Sequence, residues 1–128
     1  MTALTFRKRE RMVSQRLIDQ LFGGGCSHSL AAYPLRAVYL TKERHGADTP
    51  VQLLISVPKK HFHHAVDRNR VKRQVREAWR CHKQQLVAAL PNDVQMLVAL
   101  IWLTDNQLTT AAVEQRVTSL IQRISEKL

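Results

Sequence analysis

Arg68, Asn69 and Arg70 stand in a stretch from Lys59 to Arg80 that carries eight of the chain's 20 Lys and Arg residues: Lys59, Lys60, Arg68, Arg70, Lys72, Arg73, Arg76 and Arg80. Only two acids, Asp67 and Glu77, lie among them. The planar guanidinium fork suits phosphate oxygens and base edges, so the chemistry on offer is recognition of a polyanion. Asn69 adds a neutral donor and acceptor, or else serves as a helix-capping residue. On a helix at about 100° per residue, Val71, Val75, Ala78 and Trp79 gather on one side. Lys72, Arg73, Arg76, Arg80 and Lys83 cover the adjacent arc. The row Arg68, Lys72, Arg76, Arg80 places like charges at i, i+4, which opposes a helix by roughly a few tenths of a kcal/mol per pair unless something negative offsets it. A phosphate backbone would do so. A merely solvated helix face interleaves both signs, whereas this one is almost wholly positive. Backbone amides at the start of such a helix add affinity for anions.

Other residues with chemical potential are less organised. Arg7, Lys8, Arg9, Arg11 and Arg16 form a second basic cluster opposed only by Glu10; a basic arm on RNA and a solubilising terminus both fit. His61, His63 and His64 form a compact group, but no Cys or carboxylate accompanies them at ligand spacing, which favours a surface cluster over a metal site. The ten acids are dispersed along the chain, so no set of carboxylates is marked out for a two-metal nuclease. There is no GxSxG elbow, P-loop or dinucleotide fingerprint, and Gly23-Gly24-Gly25 lacks a following Lys-Ser/Thr. The expectation is a protein without catalytic residues or a metal site of its own. Cys26 and Cys81 form neither a CxxC pair nor a disulfide framework, in keeping with a reducing compartment.

These residues sit in a chain of 128 with a formal charge of 20 − 10 = +10. Hydrophobic residues at 45% and charged residues at 23% are ordinary globular values, so the excess belongs to a folded domain and not to a disordered basic tail. One domain, 1–128, is the natural division at this length. No apolar run approaches the roughly 18 residues of a membrane span, and the basic N-terminus lacks the apolar segment of a secretory signal. A cytoplasmic location is expected.

The elements follow from periodicity. Val13, Leu17, Ile18, Leu21 and Phe22 make a short first helix stopped by Gly23 to Gly25. Leu35 to Thr41 and Val51 to Val57 are predicted as a strand pair, joined by a polar loop containing Gly46, Asp48 and Pro50. Leu30 to Tyr33 suits one further strand, although Pro34 would interrupt its pairing. Asp67 is the expected cap of a long second helix that buries Val71, Val75, Ala78, Trp79, Leu86 and Leu90 and closes at Pro91. Val94 to Leu103 reads as a central strand covered on both faces. Val113, Val117, Leu120, Ile121, Ile124 and Leu128 form a last helical stripe, with Thr109 or Thr110 as its cap. The fold class is α+β: a small α/β sandwich in the order αββαβα, with one mixed, mostly antiparallel sheet.

The run Ala65-Val66-Asp67-Arg68-Asn69-Arg70-Val71-Lys72-Arg73-Gln74-Val75-Arg76-Glu77-Ala78 resembles the signature of the protein subunit of bacterial ribonuclease P. That family pairs it with a preceding Ser-Val-x-Lys-Lys, here Ser56-Val57-Pro58-Lys59-Lys60. The likeness extends more loosely over nearly the whole chain. It implies an accessory subunit of a ribonucleoprotein that removes the 5′ leader of precursor tRNA, with Mg²⁺ and the catalytic RNA performing the hydrolysis. The resemblance carries Arg68, Asn69, Arg70, Lys72, Arg73 and Arg76 over as contacts to that RNA, with Lys59 and Lys60 beside them. Arg7, Lys8, Arg9 and Arg11 become an accessory arm. The leader would lie in a cleft between the first helix and the sheet, where Phe22 matches an aromatic position of the family and Ile18 replaces a frequent Phe. Tyr33 and Tyr39 are further stacking candidates, each equally suited to the core, and Met12 and Val38 are candidate aliphatic lining. A left-handed crossover around the basic helix is implied as well, against the general right-handed rule. The implied partners are the catalytic RNA and precursor tRNA, with no membrane and no obligatory protein partner. A plain RNA- or DNA-binding module is the main rival, and an autonomous metal-dependent nuclease the second.

Overall fold

A computed structural model describes residues 10–12, 14–23, 25, 27–46 and 49–128. Arg7, Lys8, Arg9, Val13, Gly24, Cys26 and Asp48 lie outside the described residues. The elements are α1 (Gln15–Gly23), β1 (His28–Ala32), β2 (Leu35–Glu43), β3 (Val51–Ser56), α2 (Ala65–Ala89), β4 (Val94–Trp102) and α3 (Thr110–Ser125). The sheet runs β1-β2-β4-β3, antiparallel except for the parallel pair β3 and β4. No helix among the described residues is long and apolar enough to cross a membrane.

The extra early strand is present. Tyr33 and Pro34 form the turn between β1 and β2, so Pro34, which has no N–H to give, falls outside the β1–β2 pairing, while its carbonyl accepts from Leu103 N at 2.8 Å. The expected pairing of the second and third strands does not occur, because β4 lies between them. Met96 to Leu100 are all buried, so β4 needs a neighbour on each edge and a cover on each face. The β2–β3 connection carries the chain past the start of β4 and is tied to it. Arg44 donates through Nε (3.0 Å) and Nη2 (2.8 Å) to the Val94 carbonyl, and Met96 N donates to the Pro50 carbonyl at 2.8 Å.

Alternation along the strands divides the core in two. Leu35, Ala37, Tyr39, Met96, Val98, Leu100 and Trp102 pack against α2 and α3. Val38, Leu40, Leu97 and Ala99 face Met12 and α1, which contributes Leu21 with Leu17 and Ile18 beside it. Before α1, Met12 N donates to the Leu53 carbonyl at 2.9 Å, on the β3 edge; after it, the chain enters β1 on the opposite edge. The first helix therefore crosses the sheet. Gly25, at φ 72°, supplies the left-handed turn that follows it.

Asp67 is not the cap of α2. The helix starts at Ala65 with His64 in extended conformation at the cap position and no side-chain cap bond, because the His64 carbonyl already accepts from the Asp67 and Arg68 amides. Asp67 lies within the first turn, where a carboxylate still suits the helix dipole. Thr109 does cap α3, its side chain accepting from Ala112 N at 3.2 Å. The stripe of α3 ends at Ile124; Leu128 lies beyond the helix and is exposed.

Candidate nucleic-acid interface

The basic side chains of α2 fall into two rows with different surroundings. Asn69, Arg70 and Arg73, with Val66, are exposed on the outer row. Arg68, Lys72, Arg76 and Arg80 form an inner row that is half-buried. Two ends of this inner row are engaged. Arg68 Nη1 donates to the Phe62 carbonyl at 2.9 Å and the His63 carbonyl at 3.0 Å. Arg80 Nε donates to Glu77 at 3.1 Å and its Nη2 forms an ion pair with the same carboxylate, which Arg80 holds below the usual carboxylate range. Lys59, Lys60, Asn69, Lys72, Arg73 and Arg76 have no hydrogen-bond or ion-pair partner among the described residues. Five cations without a counter-ion among the described residues, two just before α2 and three in its first half, create a field that attracts phosphate. Lys83 is not part of that surface. It falls between Trp79 and Leu86 on the buried side, is 8% exposed, and pairs with Glu10 of the N-terminal segment, as a charge withdrawn from water requires.

Lys72 and Arg76 also form one wall of a cleft of about 190 Å³, whose other walls are Arg11, Met12 and the β3 residues Leu53, Leu54 and Ile55. Cations thus stand over an apolar floor. On the face crossed by α1, Arg36, Ile101 and Ser56 lie in register just beyond the strip that α1 covers. Ile101 is half-buried, and exposed Arg36 donates through Nε to Ser29 Oγ at 2.9 Å.

The candidate stacking residues are not brought together. Phe22 is 49% exposed near the end of α1, and Ile18 is half-buried against the same core. Tyr33 is 67% exposed, but at the β1–β2 turn. Tyr39 is a correction. It is 5% exposed and packs in the α2/α3 core, with the His28 ring centroid 5.5 Å away. It follows Val38 in β2, so strand alternation turns it away from α1. Val38 and Met12 do lie on the α1 side, both buried in that core.

The histidines do not converge either. His61 Nδ1 lies 2.6 Å from Asp105 Oδ1, while His63 and His64 are exposed. Among the described residues no group of three His, Cys, Asp or Glu side chains is placed to share a metal ion.

The family model for ribonuclease P matches residues 6–125, nearly the whole chain. The chain belongs to the ribonuclease P protein family. A ribonuclease P protein component of Porphyromonas gingivalis is 36% identical over 119 residues, covering 92% of this chain and 85% of that relative. One from Chlorobium phaeobacteroides is 42% identical over 85 residues, covering 64% of this chain and 56% of the relative. The fold agrees with solved ribonuclease P proteins. A Staphylococcus aureus RNase P protein mutant with defective mRNA degradation activity superposes with a TM-score of 0.67 at 20% identity, covering 93% of this chain and 90% of that one. The RNase P protein from Thermotoga maritima gives 0.62 at 22% identity, with 89% and 96% covered.

Within this ribonuclease P protein, sequence reasoning missed the residues that hold the basic helix from the side. Gln107 accepts a hydrogen bond from Arg70 Nη1 and donates through Nε2 to Asp67 Oδ1 at 3.2 Å. Gln74, buried on α2, donates to the Leu108 carbonyl and to Thr110 Oγ1, both at 3.2 Å. Gln74 was within reach of a closer reading, since it adjoins Val75 and lies three residues after Val71 on the apolar side. Gln107 gives no signal in a polar loop, because its partners are 37 and 40 residues away.

Proposed function

We propose that this ribonuclease P protein docks on the catalytic RNA of the holoenzyme through the basic helix α2, and holds the 5′ leader of precursor tRNA beside α1. The observation that carries the reading is the set of unpartnered cations on and before α2: Lys59, Lys60, Lys72, Arg73 and Arg76. Phosphates of a folded RNA would supply the negative charge that the fold itself does not place there. Arg70 joins the docking face with its charge intact, since its partner is a neutral amide. Arg68 acts mainly by fixing the loop that presents Lys59 and Lys60.

The leader lies along the partly open sheet strip next to α1, with Phe22 stacking on a base and Arg36 near a phosphate. Arg11, on the cleft wall opposite Lys72 and Arg76, extends the contact surface. Hydrolysis belongs to the RNA, which binds the Mg²⁺ together with the substrate; this chain's described residues gather no acidic cluster suited to the ion. The whole chain acts as one RNA-binding domain in the cytoplasm, with the catalytic RNA and precursor tRNA as its partners.

Reconstitution tests the proposal. Adding the chain to a bacterial ribonuclease P RNA at low Mg²⁺ is expected to stimulate release of the 5′ leader from precursor tRNA. A plain RNA-binding module would bind without stimulating. An autonomous nuclease would cleave without the RNA and lose that activity on mutation of its acids.

A further inference from the structure

Asp67 and Arg70 are three residues apart on α2, a spacing at which carboxylate and guanidinium ordinarily pair on a helix. They do not pair directly here. The Gln107 amide stands between them, its oxygen accepting from Arg70 Nη1 and its nitrogen donating to Asp67 Oδ1 at 3.2 Å. Each end of the amide is matched to its neighbour, which fixes its orientation.

The contrast with Arg80 shows what this arrangement does. Arg80 is held by the Glu77 carboxylate and is locally neutralised. Arg70 is held by a neutral oxygen, so its side chain is ordered while its positive charge and most of its five N–H donors stay available. The loop that supplies Gln107 is itself fixed on both sides. His61 meets Asp105 at 2.6 Å, and Gln74 holds the Leu108 carbonyl and Thr110.

We infer that Gln107 is a positioning residue for the RNA interface: it orients Arg70 toward the catalytic RNA and keeps it from collapsing onto Asp67. The inference rests on the proposed docking of α2 on that RNA. Without Gln107, Arg70 pairs with Asp67 at i, i+3, and binding RNA must first break that pair and order a long side chain. Breaking the pair and ordering the side chain together weaken affinity by roughly threefold to tenfold.

The test is a mutant cycle read as affinity of the full-length chain for a bacterial ribonuclease P RNA transcript, with thermal unfolding followed in parallel. Gln107→Ala is expected to bind about threefold to tenfold more weakly at nearly unchanged melting temperature. Adding Asp67→Asn should restore the part of that loss that comes from breaking the pair, and by more than Asp67→Asn improves binding in the otherwise unaltered chain. In an Arg70→Ala background, Gln107→Ala should have no further effect. Gln107→Met, which keeps the length of the side chain, replaces Gln107→Ala if the latter melts early. A loss that persists in the Arg70→Ala background, or an Asp67→Asn gain equal in both backgrounds, overturns the inference and leaves RNA docking intact. If Arg70→Ala itself binds as tightly as the unaltered chain, Arg70 is not at the interface and the docking assignment of that residue falls with the inference.

Discussion

Arg68 Nη1 lies 2.9 Å from the Phe62 carbonyl and donates to it, so the first arginine of the Arg-Asn-Arg run is turned back onto its own loop. The same nitrogen reaches the His63 carbonyl at 3.0 Å. Arg73, one turn further on and exposed, has no partner among the described residues. The two arginines should therefore fail differently. Arg68→Ala is expected to lose about 1 to 3 kcal/mol of folding stability as well as RNA affinity, because it removes a charged donor from two backbone carbonyls. Arg73→Ala should change stability by no more than about 0.5 kcal/mol, while weakening RNA binding by about 1 to 3 kcal/mol if it makes one charge-assisted contact. Urea denaturation alongside RNA-binding titrations separates the cases.

Phe22 is half exposed at the end of α1, so its removal should leave the fold nearly intact. Phe22→Ala is expected to weaken discrimination between precursor and mature tRNA by about 1 to 3 kcal/mol, the worth of one base–aromatic stack. Affinity of the chain for the catalytic RNA should be almost unchanged. Equal losses on precursor and mature tRNA would remove Phe22 from the leader site.

Tyr39 belongs to the core, and burial pushes its phenol above the ordinary tyrosine pKa. Ionisation is thus harder in the folded chain than in the unfolded one. The stability this contributes is complete below the unfolded pKa of about 10 and is lost as the pH rises through the folded value. Tyr39→Phe should resist alkaline unfolding better than the unaltered chain and discriminate leaders equally well. Tyr39→Ala should destabilise by about 3 to 5 kcal/mol, as for other large aromatics removed from a core. Unfolding followed between pH 8 and about 11 checks the sign.

Lys83 and Glu10 join α2 to the segment before α1, and both ends are largely withdrawn from water. Glu10→Ala strands the buried ammonium and should cost about 3 kcal/mol or more. Lys83→Met combined with Glu10→Gln removes both charges and should recover most of that loss. Comparison of the two variants by thermal unfolding decides whether the pair or the packing matters.

Much of this was legible in the sequence. The α3 stripe as far as Ile124, its cap as one of Thr109 and Thr110, and the doubly covered strand at Val94 were legible locally, because each depends on neighbours along the chain. The pairing of β2 with β4 instead of β3 did not follow, since Arg44 and Pro50 anchor the crossing loop to residues about 50 positions away. The charge on α2 was visible, but its division was not. Lys83 looks like its neighbours until Glu10 is brought beside it, and Arg70 looks like Arg80 until one meets an amide and the other a carboxylate. Side-chain fates of this kind are set by tertiary contacts, which helix periodicity does not encode.

The salt dependence of affinity for the catalytic RNA tests the central claim most directly. A variant carrying Lys72→Gln, Arg73→Gln and Arg76→Gln should bind more weakly, with a log-log salt slope reduced by about 0.7 to 0.9 for each lost phosphate contact. An unchanged affinity and slope, in a variant that unfolds at the same temperature as the original chain, would contradict docking through α2.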